Sequence, residues 1–158
     1  MSRIPELGPR GEGWVALQSL LFGAIVACGF VGIYWPHSIE GFLVVLGLLV
    51  AVAGAVGLML GVFSLGSSLT PFPRPRAGAE FRGGGPFRHV RHPIYGGVIL
   101  LALGWSVAEA PLGLVPTAVL AVFFDLKARR EEAWLDERYS EYADYLARTP
   151  RRFVPWLY

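Results

Sequence analysis

The chain has 158 residues, room for one domain and little more. Hydrophobic residues make up 54% of it and charged residues 16%, against about 25% charged in an ordinary soluble domain, so a water-soluble fold and a disordered tail are both excluded. The formal net charge of +2 conceals how the charges lie. There is none between Gly13 and Pro36, none from Gly41 to Pro73, and none from His92 to Ala108 or from Ala110 to Phe124, whereas residues 125–158 hold 14 of the 26.

The first apolar stretch, residues 14–35, has the roughly 20 residues that a helix needs to cross a bilayer. Trp14 stands at one end and Tyr34-Trp35 at the other, where interfacial aromatic belts are expected. An apolar run follows almost at once, so a cleaved signal peptide leading to a polar mature domain does not fit. Cys28, the one cysteine, lies inside this stretch and can form no disulfide within the chain. Pro36 to Ile39 reads as a tight turn. The second stretch, residues 41–65, carries Gly54, Gly57 and Gly61 on or near one face, a pattern that lets another helix come close in a bilayer. Packing within one subunit is favoured over a dedicated dimer face, so dimerisation is possible but not indicated.

Residues 66–93 hold Pro71, Pro73, Pro75 and a Gly83-Gly84-Gly85-Pro86 run, a loop by composition. Five arginines against one acid, Glu80, mark it as a membrane-surface and topology signal on the cytoplasmic side rather than a nucleic-acid footprint. The third apolar region is interrupted by Glu109-Ala110-Pro111, and a charge at the centre of a lipid-exposed helix is costly. It reads as a hairpin with arms at about 93–108 and 112–126, the alternative being a single kinked span. Residues 127–147 read as an amphipathic surface helix with Leu135, Tyr139, Tyr142 and Leu146 on one face, ended by Thr149-Pro150. The apolar ending, residues 153–158, is placed to tuck back against the bundle. The expected fold is therefore all-α, one polytopic membrane helix bundle over residues 1–158, with about four transmembrane helices and a cytoplasmic C-terminal helix. Both termini and the arginine loop share the cytoplasmic side.

Chemistry concentrates where Arg88, His89, Arg91 and His92 run into Pro93-Ile94-Tyr95-Gly96-Gly97. Pro93 suits the first turn of a helix. The positive end of that helix beside Arg91 and His92 suits an anionic group such as a carboxylate or phosphate, although juxtamembrane arginines also serve as plain topology markers. Gly96-Gly97 weaken a helix unless something lies against the backbone, either a planar cofactor or a neighbouring helix. Glu131-Glu132 follow Arg129-Arg130. Either they are a solvated charge run, or one of them, adjacent residues pointing about 100° apart, binds an ammonium group beside Arg91 and His92. His37, His89, His92 and Cys28 form no convincing metal set, and no P-loop or nucleotide-binding glycine pattern occurs.

The run Gly85-Pro-Phe-Arg-His-Val-Arg91-His92-Pro93-Ile-Tyr95-Gly96, a helical hairpin, Glu131-Glu132, Leu135, Tyr139, Tyr142 and Arg152-Phe-Val-Pro155 resemble the isoprenylcysteine carboxyl methyltransferase family, with much of the pattern shared by phospholipid N-methyltransferases. The resemblance covers roughly residues 83–158. It implies a multi-pass membrane enzyme that uses S-adenosylmethionine. His92, Pro93, Tyr95, Gly96 and Gly97 would line the cofactor site, with Glu131 or Glu132 completing it near the amino-acid end and Arg91 orienting a carboxylate. The acceptor implied is a lipidic small molecule entering from the bilayer, an isoprenylcysteine-like carboxylate or, alternatively, a phosphatidylethanolamine-type amine. A non-enzymatic membrane packing or regulatory protein is the competing class, and it leaves Gly96-Gly97 and the Arg91-His92 cluster without a task.

Overall fold

The computed structural model describes residues 4–155, and the expected tuck of Trp156, Leu157 and Tyr158 lies outside them. Among the described residues the chain forms five α-helices and no strand: α1 (Glu12–Cys28), α2 (His37–Leu65), α3 (Pro93–Ala108), α4 (Leu114–Arg138) and α5 (Tyr142–Arg148). Short 3₁₀ turns at Gly66–Ser68, Gly85–Arg88 and Pro111–Gly113 punctuate the connections. The two longest helices, each extended by its adjoining 3₁₀ turn, are long and apolar enough to cross a membrane. Only 11% of the most apolar window of α2 is buried. An apolar surface that bare would aggregate in water and is at home in lipid.

Several boundaries differ from those read in the sequence. The first helix stops at Cys28 rather than near Tyr34, because Gly29 and Gly32 follow and Gly32 adopts a positive φ of 76°. Trp35 then anchors the connection by donating its indole N–H to the Val107 carbonyl at 2.7 Å. Pro36 to Ile39 is a helix start rather than a turn: the Pro36 carbonyl accepts from the N–H groups of Ile39 and Glu40, opening α2. The third helix has the expected bounds, and the chain does reverse after it. Glu109 is exposed, a 3₁₀ turn begins at Pro111, and Ser106 and Thr117 hydroxyls meet across the hairpin at 3.1 Å. Lys127 is not a helix start. It lies mid-way along α4, which continues to Arg138, and the amphipathic stretch breaks at Tyr139 before the seven-residue α5. A change from apolar to charged side chains does not by itself end a helix; loss of the backbone ladder does.

The helices pack in the spatial order α2, α3, α4, α1. The glycine face of α2 is not Gly54, Gly57 and Gly61 but Gly47, Gly54 and Gly61, seven residues apart and all buried. It runs antiparallel to α3. A methyl added at Gly47 would stand 2.5 Å from the Gly104 carbonyl, and one at Gly54 would stand 2.7 Å from the Gly97 carbonyl, whereas Gly57 has only the Gly97 Cα at 4.0 Å. The close approach is internal to the chain. On the other side of α3, the core of Ile25, Leu120, Phe124, Ala128 and Phe153 joins α1, α4 and the C-terminal segment. That packing sets the N-terminus of α3 against the charged half of α4.

Candidate active site

The C-terminal segment straps across the entrance to α3. Arg91 and His92 donate their backbone N–H groups to the carbonyls of Arg151 and Arg152 at 3.0 and 2.8 Å. Tyr145 donates its hydroxyl to the Phe87 carbonyl at 2.8 Å, and Tyr139 donates to the Ala79 carbonyl at 2.7 Å. Loop residues 79–92, otherwise without regular structure beyond one 3₁₀ turn, are thereby held against α5 and its flanks. Pro93 opens α3 as expected.

Under this strap Glu132 is a hub. Its carboxylate accepts from Arg91 Nε at 2.8 Å, from Arg152 Nε and Nη2 at 3.1 Å, and sits 3.1 Å from His92 Nε2. Arg152 also reaches Asp125 at 2.5 Å. Burial works against the Arg152 charge, and the carboxylates of Glu132 and Asp125 outweigh it and move its pKa up. Arg91 further donates to the carbonyls of Thr149 and Pro150 at 2.9 and 2.5 Å. The guanidinium expected to meet a ligand carboxylate thus has an internal one, Glu132, and braces the strap.

Glu131 has a different surrounding. It accepts the Tyr95 hydroxyl at 2.6 Å and lies 4.0 Å from His92 Nδ1, with a quarter of its side chain exposed. Both glutamates are therefore engaged, and neither belongs to a solvated run. The 100° between them on α4 points Glu132 at the strap and Glu131 at α3. The His92 and Tyr95 rings stack in parallel at 5.3 Å, and Tyr95 stacks on Phe124 at 4.6 Å. What lies against the two glycines is protein. A methyl at Gly96 would collide with the Phe153 carbonyl, and one at Gly97 would stand 2.6 Å from the Leu58 nitrogen of α2.

A cavity of about 330 Å³ opens beside this network, within the roughly 300–1,000 Å³ of small-molecule sites. Of the residues singled out in the sequence, Arg91, His92, Pro93, Tyr95 and Glu131 line it; Gly96, Gly97 and Glu132 do not. Its walls also include Phe81, Tyr142 and Tyr145, whose rings meet edge to face at 5.7 and 5.1 Å from Phe81. Tyr142 is 1% exposed, and among the described residues its buried hydroxyl has no hydrogen-bond partner. Burial first, then the charges of Glu132 and Glu131, push that hydroxyl well above the usual tyrosine range, so it stays protonated. A buried donor without an acceptor is costly, and a ligand with a polar group there would remove the cost. Glu131 in the cavity wall suits an ammonium group, and the aromatic rings beside it suit a flat heterocycle.

Sequence reasoning missed four participants. Arg152 stood out only as part of the closing motif, and Tyr142 only as one residue of an apolar face and of the family pattern. Lys127 reads as the first residue of the surface helix, and Phe81 carries no signal among the surrounding glycines and prolines.

The sequence profile of a family described as phospholipid methyltransferase matches residues 42–142. That range takes in most of α2, the arginine loop, the α3–α4 hairpin and Tyr142, and so includes most of the cavity wall. No curated protein matches the chain.

Proposed function

The chain belongs to the phospholipid methyltransferase family, and from that premise we propose that it is an integral membrane methyltransferase that uses S-adenosylmethionine and methylates the carboxylate of a lipidic, isoprenylcysteine-like acceptor. The observation that carries this reading is the cavity itself, bounded by the α3 entrance, Glu131 and the α5 tyrosines Tyr142 and Tyr145. S-adenosylmethionine supplies a methyl group on a sulfonium sulfur; the acceptor oxygen takes it as the carbon–sulfur bond breaks, leaving an ester and a neutral thioether. The chain's own residues align and enclose. Glu131 holds the ammonium end, Tyr142 donates to a polar group, and Phe81 and Tyr145 offer ring faces that exclude water.

A carboxylate acceptor is already ionised at neutral pH and needs no base. An ammonium acceptor must lose a proton first, and both glutamates near the cavity are committed: Glu132 to the Arg91 and Arg152 guanidinium groups and the His92 ring, and Glu131 to the Tyr95 hydroxyl. The second reading, methylation of a phosphatidylethanolamine-type amine, is favoured by the description of the matching family. A purely structural role leaves the Tyr142 hydroxyl unexplained.

The companion topology has four crossings, with both termini and the arginine loop cytoplasmic. It is supported by two helices of spanning length and by α1 and α3, apolar helices of 17 and 16 residues. The short pair would be met by a locally thinned bilayer.

Titration of detergent-purified protein with S-adenosylhomocysteine tests the reading. Saturable binding is expected, weakened about tenfold or more in Glu131→Ala, where a charge-assisted contact is lost. Absence of binding overturns methyl transfer. Product analysis against a prenylated thioether acid and phosphatidylethanolamine then separates the two acceptors.

A further inference from the structure

Lys127 is 1% exposed and forms part of the cavity wall. Its ammonium donates to the Gln18 side-chain oxygen at 2.7 Å and to the Pro71 carbonyl at 3.2 Å, and lies 5.2 Å from the centre of the Tyr95 ring. These partners are neutral. Among the described residues no carboxylate oxygen lies within 4.0 Å of it, the charge of Glu131 acting on it only from farther away, whereas Arg91, His92 and Arg152 at the α3 entrance each have one within that distance. Buried charges are ordinarily paired, since removing an ion from water without a counter-charge costs several kcal/mol. An ammonium has three donors and two are in use here.

Position adds to this. Lys127 precedes Glu131 by four residues on α4, one helical turn, about 6 Å, toward the apolar half of that helix. Its neighbours on the wall are Phe124, Val98 and Tyr95. On the four-crossing reading, Lys127 stands nearer than Glu131 to the hydrocarbon, the side from which a lipidic molecule would enter. We infer that the Lys127 ammonium, braced by Gln18 and Pro71, is the seat for the carboxylate of the lipidic acceptor and sets the enzyme's preference for an acid over an amine. The inference rests on the methyltransferase reading for the word acceptor, but the anion seat itself can be measured without turnover. A cation at this point repels a phosphatidylethanolamine ammonium as it attracts a carboxylate, so one residue selects between the two acceptor classes.

The test compares N-acetyl-S-farnesylcysteine with its primary amide in equilibrium binding to wild-type protein in detergent. The acid is expected to bind about tenfold more tightly, the worth of one charge-assisted hydrogen bond. In Lys127→Met that difference should vanish, and in Lys127→Arg it should return in part. S-adenosylhomocysteine affinity in Lys127→Met should stay within about twofold of wild type, reporting an intact fold. Equal binding of acid and amide to wild type overturns the inference, and needs no variant to fold. Loss of S-adenosylhomocysteine affinity in Lys127→Met with acid binding unchanged also overturns it, by assigning the ammonium to the cofactor's own carboxylate. Failure of wild type to bind S-adenosylhomocysteine, with acid still preferred over amide, counts against methyl transfer and leaves the anion seat standing.

Discussion

Two contact regions of α3 are built on opposite principles. Along its length it meets α2 through Gly97 and Gly104, facing Gly54 and Gly47, with backbone against backbone. At its N-terminus it meets α4 and the strap through Arg91, His92 and Tyr95, with one hydrogen bond or ion pair after another. In hydrocarbon there is no hydrophobic gain in bringing two apolar helices together, so close van der Waals packing over small residues is what holds them. At the membrane edge, charged groups can be concentrated because each finds a partner. The long contact fixes where α3 stands, and the short one fixes what its first turn faces.

The largest expected effect breaks the short contact. Glu132→Ala leaves Arg91, His92 and Arg152 facing one another, 9%, 6% and 15% exposed, and removing one partner of a buried ion pair costs about 3–5 kcal/mol. Denaturation in mixed detergent micelles should show that loss. Glu131→Gln, one residue away, keeps an acceptor for the Tyr95 hydroxyl and should change stability little while weakening cofactor binding. Similar stability losses in both would mean that the two glutamates do not have the separate surroundings described.

The long contact is sharpened by a pair of substitutions. Gly54→Ala sets a methyl 2.7 Å from the Gly97 carbonyl and 2.7 Å from the Leu101 nitrogen. Both are backbone atoms that cannot rotate away, so overpacking of about 1–3 kcal/mol follows. Gly57→Ala meets nothing closer than 4.0 Å and should be neutral or slightly stabilising through helix propensity. Equal effects would refute the seven-residue register of α2 on α3.

The same contrast explains what was legible in the sequence. The bounds of α3 could be read because Pro93 opens it and the charge-free run closes at Glu109. The α2 face could be read only in kind. Gly54, Gly57 and Gly61 are equally small, and which of them a neighbour approaches depends on the crossing with α3, which no local pattern records. At the site, Arg91, His92, Tyr95 and the Glu131-Glu132 pair were visible as a motif, yet their pairing was not. Arg152 lies 20 residues from Glu132 and 27 from Asp125, and the strap that unites them is set by backbone bonds to residues 91 and 92. Lys127 illustrates the remaining gap: a basic residue at the end of an apolar run looks like a topology marker whether its ammonium reaches headgroups or, as here, turns inward to Gln18.

The smallest effect on stability belongs to Tyr142, and it separates a ligand site from a packing site most cleanly. Its ring is packed against Phe81, edge to face, and against Tyr145, tilted, at 5.7 Å from each, so Tyr142→Phe preserves the ring contacts. The hydroxyl it removes has no partner among the described residues. Deleting an unsatisfied buried donor relieves desolvation and breaks no bond, so stability should hold or rise slightly. S-adenosylhomocysteine affinity should nonetheless fall, by about fivefold to tenfold for a neutral hydrogen bond of roughly 1–1.5 kcal/mol. Tyr145→Phe is the counterpart: its hydroxyl donates to the Phe87 carbonyl within the strap, so it should lose stability by about 1 kcal/mol or more. If Tyr142→Phe lowers stability and leaves affinity unchanged, the hydroxyl serves the fold and the cavity loses the donor that marks it as a binding site.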